Sequence, residues 1–530
     1  MRFFDTFDVF GFMASFRSFF AVPVRILTLA VLLSALGGCA SIWPFAGNGD
    51  REATVEVGEP EGADEEDEGA IKAFSDVVPD TATTMEGMFT VHRAGEEYYF
   101  EIPDSLLGRE VLWMVRTART ATNLGYGGVK AQTHVVRWER HEKKVFLRSV
   151  SYENVAADSL PIYEAVRNAN VEPIIRAFPV AAHNADTTGL VLEMSELFSS
   201  DVELFGLGDA ARSNFGITGV DGERSYIRSM EAFPENVEVH NVLTYQASDP
   251  PANQATESVT VEFNHSIVLL PKQPMQPRLC DDRVGYFSIE RTNYGIDSQK
   301  AEEECFVTRW KLVPSDTAAF RRGELVEPVD PIVYYVGPGT PEKWRPYIRQ
   351  GIEDWNEAFR AAGFKNAIEG RMPPTDEENP EFDPDDARYS VIRWFPSEIE
   401  NAYGPHVHDP RSGQIIESDI GFFHNVMNLL RNWYFVQTAA INPEARHLEF
   451  EEEVMGRLLR FVAAHEVGHT LGLPHNMKAS SAYPVDSLRS PSFTQEMGTS
   501  PSIMDYARFN YVAQPGDGDV GLMPEIGPYD

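Results

Sequence analysis

The run His465-Glu466-Val467-Gly468-His469-Thr470-Leu471-Gly472-Leu473-Pro474-His475 concentrates three imidazoles and one carboxylate in eleven residues. His465 and His469 are four apart, so on a helix they project from one face about a turn apart. Two imidazoles so placed can share one Zn²⁺ at ~2.0–2.1 Å each. Glu466 lies one step round the helix, close enough to hold a water rather than the ion. A continuing helix would carry a third ligand past the metal. Gly472 tolerates the positive φ that ends a helix, so the chain can turn back and let His475 complete a three-nitrogen site. Three protein ligands leave a fourth position open, the mark of a catalytic rather than structural zinc. A bare HExxH arises by chance in roughly 3% of chains of this composition. The added glycine and third histidine make the pattern far more specific.

The elements needed to present this run are legible upstream. A helix is expected from about Glu449, with Phe450, Val454, Leu458 and Phe461 on its buried face and Glu449, Glu451, Glu452 and Glu453 at its positive start. Pro331 to Gly337 reads as a strand ending in a turn. Trp344, Ile348, Ile352, Trp355 and Phe359 then recur at three or four residues, one face of a helix that begins near Pro341 and ends before Gly363. An acidic, proline-bearing insert from Met372 to Ala387 comes next. Tyr389 to Trp394 is a second strand. Gln414 to Phe422 is a candidate third, and the candidate edge on which an extended substrate would pair.

Downstream, Ser502-Ile503-Met504-Asp505-Tyr506 succeeds Thr499-Ser500-Pro501. Together with HExxHxxGxxH, this turn resembles the metzincin metallopeptidases. The resemblance implies His465, His469 and His475 as zinc ligands, Glu466 as general base, and Met504 as the methionine forming an apolar floor. Tyr506 is similar to the tyrosine of the astacin and serralysin branches that can approach the metal or the oxyanion. An ordinary core role for Met504 and a purely structural role for Tyr506 stay open beside these. Asn476 stands where astacins have Glu. More of the chain, through Tyr98 to Glu110, Arg283 to Phe287, Ala387 to Trp394 and Asp409 to Ile415, resembles large bacterial zinc-dependent metalloproteases that join an uncharacterised N-terminal domain to a met-zincin-like one. The fold class this implies is α+β. A β-rich N-terminal domain (88–326) would precede a metzincin-like domain (327–530) with a twisted sheet, a backing helix and an active-site helix. Relatives in that family run on beyond the position of Asp530, so a C-terminal subdomain is expected to be missing.

Between about Met88 and Val326 the pattern has mostly period two. The stretches His134–Trp138 and Lys144–Arg148 are joined by a short polar link and read as a hairpin. Short helices are expected near Leu160–Val166 and Met194–Phe198. Gly125 to Gly128 reads as a turn, because no P-loop lysine pattern comes after it. Cys280 and Cys305, 25 positions apart, suggest a disulfide in an oxidising compartment. The competing possibility is that Cys280 caps the metal as an inhibitory thiolate. His406 and His408 would share a face if they lie on a strand and could form a second metal pair.

The N-terminus reads as an address. Ile26 to Leu36 is an apolar stretch flanked by Arg17 and Arg25 and ends in Leu36-Gly37-Gly38-Cys39. Small residues before a cysteine resemble the lipobox of bacterial lipoproteins, which implies a signal peptide over 1–39 and a lipid anchor on Cys39. Ala40 is not the Asp that resembles an inner-membrane retention signal. The cell envelope, with the outer membrane favoured, is therefore the expected location. Asp50 to Glu68 holds ten acidic residues and one Arg, so 40–87 is expected to be an extended acidic tether. The whole chain carries 81 acidic against 45 basic residues, a formal charge of −36, which argues against a nucleic-acid partner. The function expected is zinc-dependent hydrolysis of peptide bonds in a protein or peptide substrate. Two rivals are a non-catalytic surface lipoprotein binding a protein partner through its β-rich domain, with a decayed peptidase domain, and a zinc hydrolase of non-peptide amides.

Overall fold

The computed structural model describes residues 71–375 and 377–530. The signal peptide, Cys39 and most of the expected tether lie outside the described residues. Residues 71–87, expected to continue the tether, are instead folded: a helical turn Phe74–Val77 and a strand Thr83–Met85 that pairs with Thr90–Ala94. The reason is apolar. Val77 and Val78 bury against Tyr99, Ala182 and Val191.

Residues 71–530 form one compact unit with two main hydrophobic cores. The first lies within a twelve-stranded antiparallel sheet. Its strands run, side by side, Thr83–Met85, Thr90–Ala94, Glu97–Pro103, Gly189–Glu193, Ile174–His183, Lys144–Val150, Val129–His141, Glu110–Arg119, Ser258–Leu269, Asn236–Ala247 and Ile217–Val220. Tyr226–Ala232 also pairs with Asn236–Ala247. The expected hairpin is present, with His141 opposite Lys144. The short helices fall at Ile162–Ala169 and Ser195–Ser199. The sheet rolls until Met88 N–H donates to Phe233 O at 2.7 Å, enclosing Phe89, Phe100, Trp113, Trp138 and Phe263.

Strand Glu110–Arg119 explains why alternation lapses in its middle. Val111, Trp113 and Val115 face that core, while Leu112 and Met114 face Ala387 and Val407. A strand covered on both sides reads as a continuous apolar run. Arg116, also on the second face, is 1% exposed. Its Nη2 lies 2.9 Å from both Glu417 and Asp419. Arg393 joins Asp419 at 2.9 Å and Asp385 at 2.8 Å, and Lys130 joins Glu417 at 2.9 Å. This buried charge network fastens the large sheet to the C-terminal part of the chain. From the acidic insert the network and its surroundings draw the buried Asp386 and the half-buried Asp385, while Glu377, Glu378 and Glu381 stay exposed.

The second core backs a five-stranded sheet in the order Ile368–Arg371, Ile332–Val336, Ser390–Phe395, Ile420–Phe423, Ala402–Tyr403. The first four are parallel; Ala402–Tyr403 is antiparallel and forms the edge. The single strand expected over Gln414–Phe422 divides in two. Gln414–Glu417 pairs with Val407–Asp409 in a separate hairpin, and Ile420–Phe423 is interior. The break comes at Ser418–Asp419, where the buried ion pairs hold the chain. The expected helix after Pro341 runs Arg345–Glu353, then resumes at Asn356–Ala361. At the interruption Asp354 pairs with Arg460, and the Trp355 indole N–H donates to Ala464 O at 2.8 Å. Both partners lie on the helix Glu452–Thr470, whose buried face, including Val454 and Leu458, fills the core. Among the described residues no helix is long and apolar enough to cross a membrane.

Candidate metal centre

The helix Glu452–Thr470 carries His465 and His469, and the chain reverses directly after it. Gly472 has φ +106°, a conformation that side chains disfavour. A Cβ there would also collide with the Thr308 carbonyl. Leu473 N–H returns to Gly468 O at 3.1 Å, and His475 swings back over the helix end.

The three rings converge. His475 Nε2 lies 3.3 Å from His465 Nε2 and 3.1 Å from His469 Nε2. The ligand atoms of all three lie within 4.8 Å of one another. Tautomers follow from the far side of two rings. His465 Nδ1 is 2.7 Å from Ile503 O, and His469 Nδ1 is 2.7 Å from Leu473 O. A carbonyl only accepts, so each Nδ1 carries the hydrogen and each Nε2 presents a lone pair to the centre. Lone pairs facing each other at this range repel unless a cation sits between them. Two nitrogens on a tetrahedral zinc with ~2.0–2.1 Å arms are roughly 3.3–3.4 Å apart. The donor set and its spacing therefore fit zinc.

Electrostatics agree. Burial, then His469, drives the His465 pKa down to about 3, and burial drives His469 down to about 4. His475 is lowered by burial and by Arg508. All three imidazoles are therefore neutral at neutral pH. Glu466 is 7% exposed, and burial pushes its carboxyl up to about 8. A divalent ion at the three nitrogens would favour its charged form.

Met504 is 1% exposed and its sulfur packs against Gly468, the residue before His469. Gly468 makes this possible, because a Cβ at that position would overlap the Met504 sulfur and the Trp355 ring. The Met504 carbonyl accepts from Asn476 N at 2.9 Å, tying the turn to the residue after the third histidine. Tyr506 stands beside the site, its ring centroid 4.4 Å from that of His475 and 5.8 Å from that of His465. Burial and the Glu466 charge raise its hydroxyl pKa.

Several contributors carried no local signal in the chain. Asp530 accepts from Ser502 Oγ at 2.5 Å and Ile503 N at 2.7 Å, and so holds the turn whose carbonyl orients His465. Phe287 lies 6.0 Å from the His469 ring and 5.7 Å from that of His406; its N–H donates to Gly472 O at 2.7 Å. Cys280 and Cys305 are joined, with Cα atoms 5.4 Å apart, so neither offers a thiolate to the centre. His406 and His408 have ring centroids 5.6 Å apart, and burial lowers both pKa values. No third ligand joins them, and His465, His469 and His475 are the one cluster of three among the described residues.

Comparison with known families agrees with this geometry. A family model described as Met-zincin matches residues 447–530, which supports a metzincin-type domain there. Two domains of unknown function, DUF5118 and DUF5117, match residues 71–120 and 128–315. No curated protein and no solved structure matches the chain.

Proposed function

We propose that this chain is a zinc-dependent endopeptidase, with His465, His469 and His475 as the ligands, Glu466 as general base and Tyr506 as oxyanion partner. The observation that carries the reading is the convergence of three Nε2 atoms, with His475 Nε2 3.3 Å from His465 Nε2 and 3.1 Å from His469 Nε2, beside the buried Glu466 carboxyl. Zinc bound there would polarise the scissile carbonyl and acidify water. Glu466 takes a proton from the attacking water and returns it to the leaving amine. The Tyr506 hydroxyl donates to the developing oxyanion. The edge strand Ala402–Tyr403, which pairs on one side with Ile420–Phe423, offers its other side to an extended substrate.

The test is zinc stoichiometry and cleavage of a denatured protein, wild type beside Glu466→Ala. One zinc per chain in both is expected, with turnover lowered ~10²–10⁴-fold in the variant. Wild-type cleavage by Glu466→Ala would remove the base assignment; no zinc and no cleavage in the wild type would remove the whole reading. The Leu36-Gly37-Gly38-Cys39 signature supports a lipid anchor on Cys39 and a place in the cell envelope. Cys39→Ser should then move the protein out of the membrane fraction.

A further inference from the structure

A cavity of about 320 Å³ opens against His465, Glu466 and Tyr506, within the range that holds small ligands. Leu429, Leu430, Phe461 and Val462 give it apolar walls, and Trp433 and Arg508 also line it. Arg508 is the unusual member. Its guanidinium lies over two aromatic faces, 3.7 Å from the Trp433 centroid and 4.2 Å from that of Tyr506. Contact with two aromatic faces leaves the in-plane N–H donors of a guanidinium free for other partners.

Among the described residues none of those donors meets a carboxylate. This is a chain with 81 acidic residues, in which arginine after arginine is paired. The carboxylate on the cavity rim, Glu400, is engaged by the Asn428 side-chain amide instead. Arg508 also holds φ +59°. An arginine in that region is uncommon, and such outliers gather at ligand sites. A partly buried cation with idle donors in an apolar-walled cavity is a receptor for an anion.

We infer that Arg508 receives a carboxylate of the substrate, carried on an Asp or Glu side chain or on the substrate's own C-terminus, and so sets which peptides the site takes. This deepens the peptidase reading and rests on it for the identity of the ligand as a peptide. A carboxylate bound by charge-assisted hydrogen bonds should gain ~10–100-fold over its neutral amide counterpart.

The experiment moves a single Glu along an otherwise neutral hexapeptide, each position paired with Gln, in C-terminally amidated and free forms. Binding is titrated to the full chain purified with zinc and carrying Glu466→Gln to stop turnover, with and without Arg508→Gln. Cleavage sites are mapped in parallel with the wild type. One internal Glu position in the amidated series should bind ~10–100-fold better than Gln if a side chain is the ligand. If the C-terminus is the ligand, the free form should gain that factor over the amide. Arg508→Gln should abolish the preference, and Arg508→Lys should keep part of it if Arg508→Gln does not fold. No preference above about twofold in the Arg508-bearing protein, or a preference that survives Arg508→Gln, overturns the inference. Discrimination in binding without cleavage would sink the peptidase reading and leave Arg508 as an anion receptor; cleavage without discrimination would do the reverse.

Discussion

Asp530→Ala isolates how the candidate metal centre is held. The carboxylate accepts from Ser502 Oγ at 2.5 Å, Ile503 N at 2.7 Å and Gly527 N at 2.9 Å. Ser502 is fully buried and Ile503 is 2% exposed, so no water replaces the lost acceptor without a rearrangement. An orphaned buried donor costs ~1–3 kcal/mol, and two such donors with partial relaxation come to about 2–4 kcal/mol of stability. The functional effect runs through one residue, whose N–H and C=O belong to successive peptide units. Ile503 N is held by Asp530, and Ile503 O receives the His465 Nδ1 hydrogen. Loosening that carbonyl releases the tautomer and the ring orientation. Loss of a partner hydrogen-bonded to a metal ligand commonly weakens metal binding ~10–100-fold. The assays are zinc affinity by chelator competition, the visible spectrum of the cobalt-substituted protein, and urea unfolding. Asp530→Asn, which keeps one acceptor, should fall between the wild type and the alanine variant. A folded Asp530→Ala protein with zinc affinity within twofold of the wild type and an unchanged cobalt spectrum would refute the reasoning.

Contacts away from the metal lead to further expected outcomes. Arg116→Met should destabilise by about 3–5 kcal/mol in urea unfolding, because it leaves Glu417 and Asp419 buried with less compensating charge. Replacing Cys280 and Cys305 with Ser should cost ~2–4 kcal/mol, read as a lower unfolding midpoint that reductant no longer alters. Glu238 is buried, and burial together with the nearby Asp386 raises its carboxyl from 4.5 to about 8. The folded state then holds a proton that the unfolded state releases, so this residue makes stability fall as pH rises through that interval. The melting temperature of Glu238→Gln should vary less steeply with pH there than that of the wild type; parallel curves would show that the carboxyl does not titrate in the fold.

What could be read along the chain was whatever depends on short spacing. His465, Glu466, His469, Gly472 and His475 lie within eleven residues, and helix geometry plus one glycine reversal is enough to foresee that they meet. Period-two alternation likewise located the hairpin around His141 and Lys144. Where a strand is covered on both faces, as at Val111–Arg116, the alternation vanishes and its partners cannot be read locally. Gln414–Phe422 looked like one strand because its residues suit one. Only ion pairs from Arg116 and Arg393, far away in sequence, show why it breaks at Ser418–Asp419 and leaves Ala402–Tyr403 as the edge.

The same division runs through the site itself. The identity and order of the three imidazoles were written in one segment. The tautomers of His469 and His465 were decided by carbonyls at Leu473 and Ile503, and the second of these is held by Asp530. The Arg508 guanidinium has Trp433 and Tyr506 on its faces and, among the described residues, no carboxylate beside it, an arrangement that no local pattern announces. Helix periodicity acts over a few residues, and a sequence displays it directly. Burial, ion pairing and second partners of a hydrogen bond join residues separated by tens to hundreds of positions, so they exist only once the chain has folded.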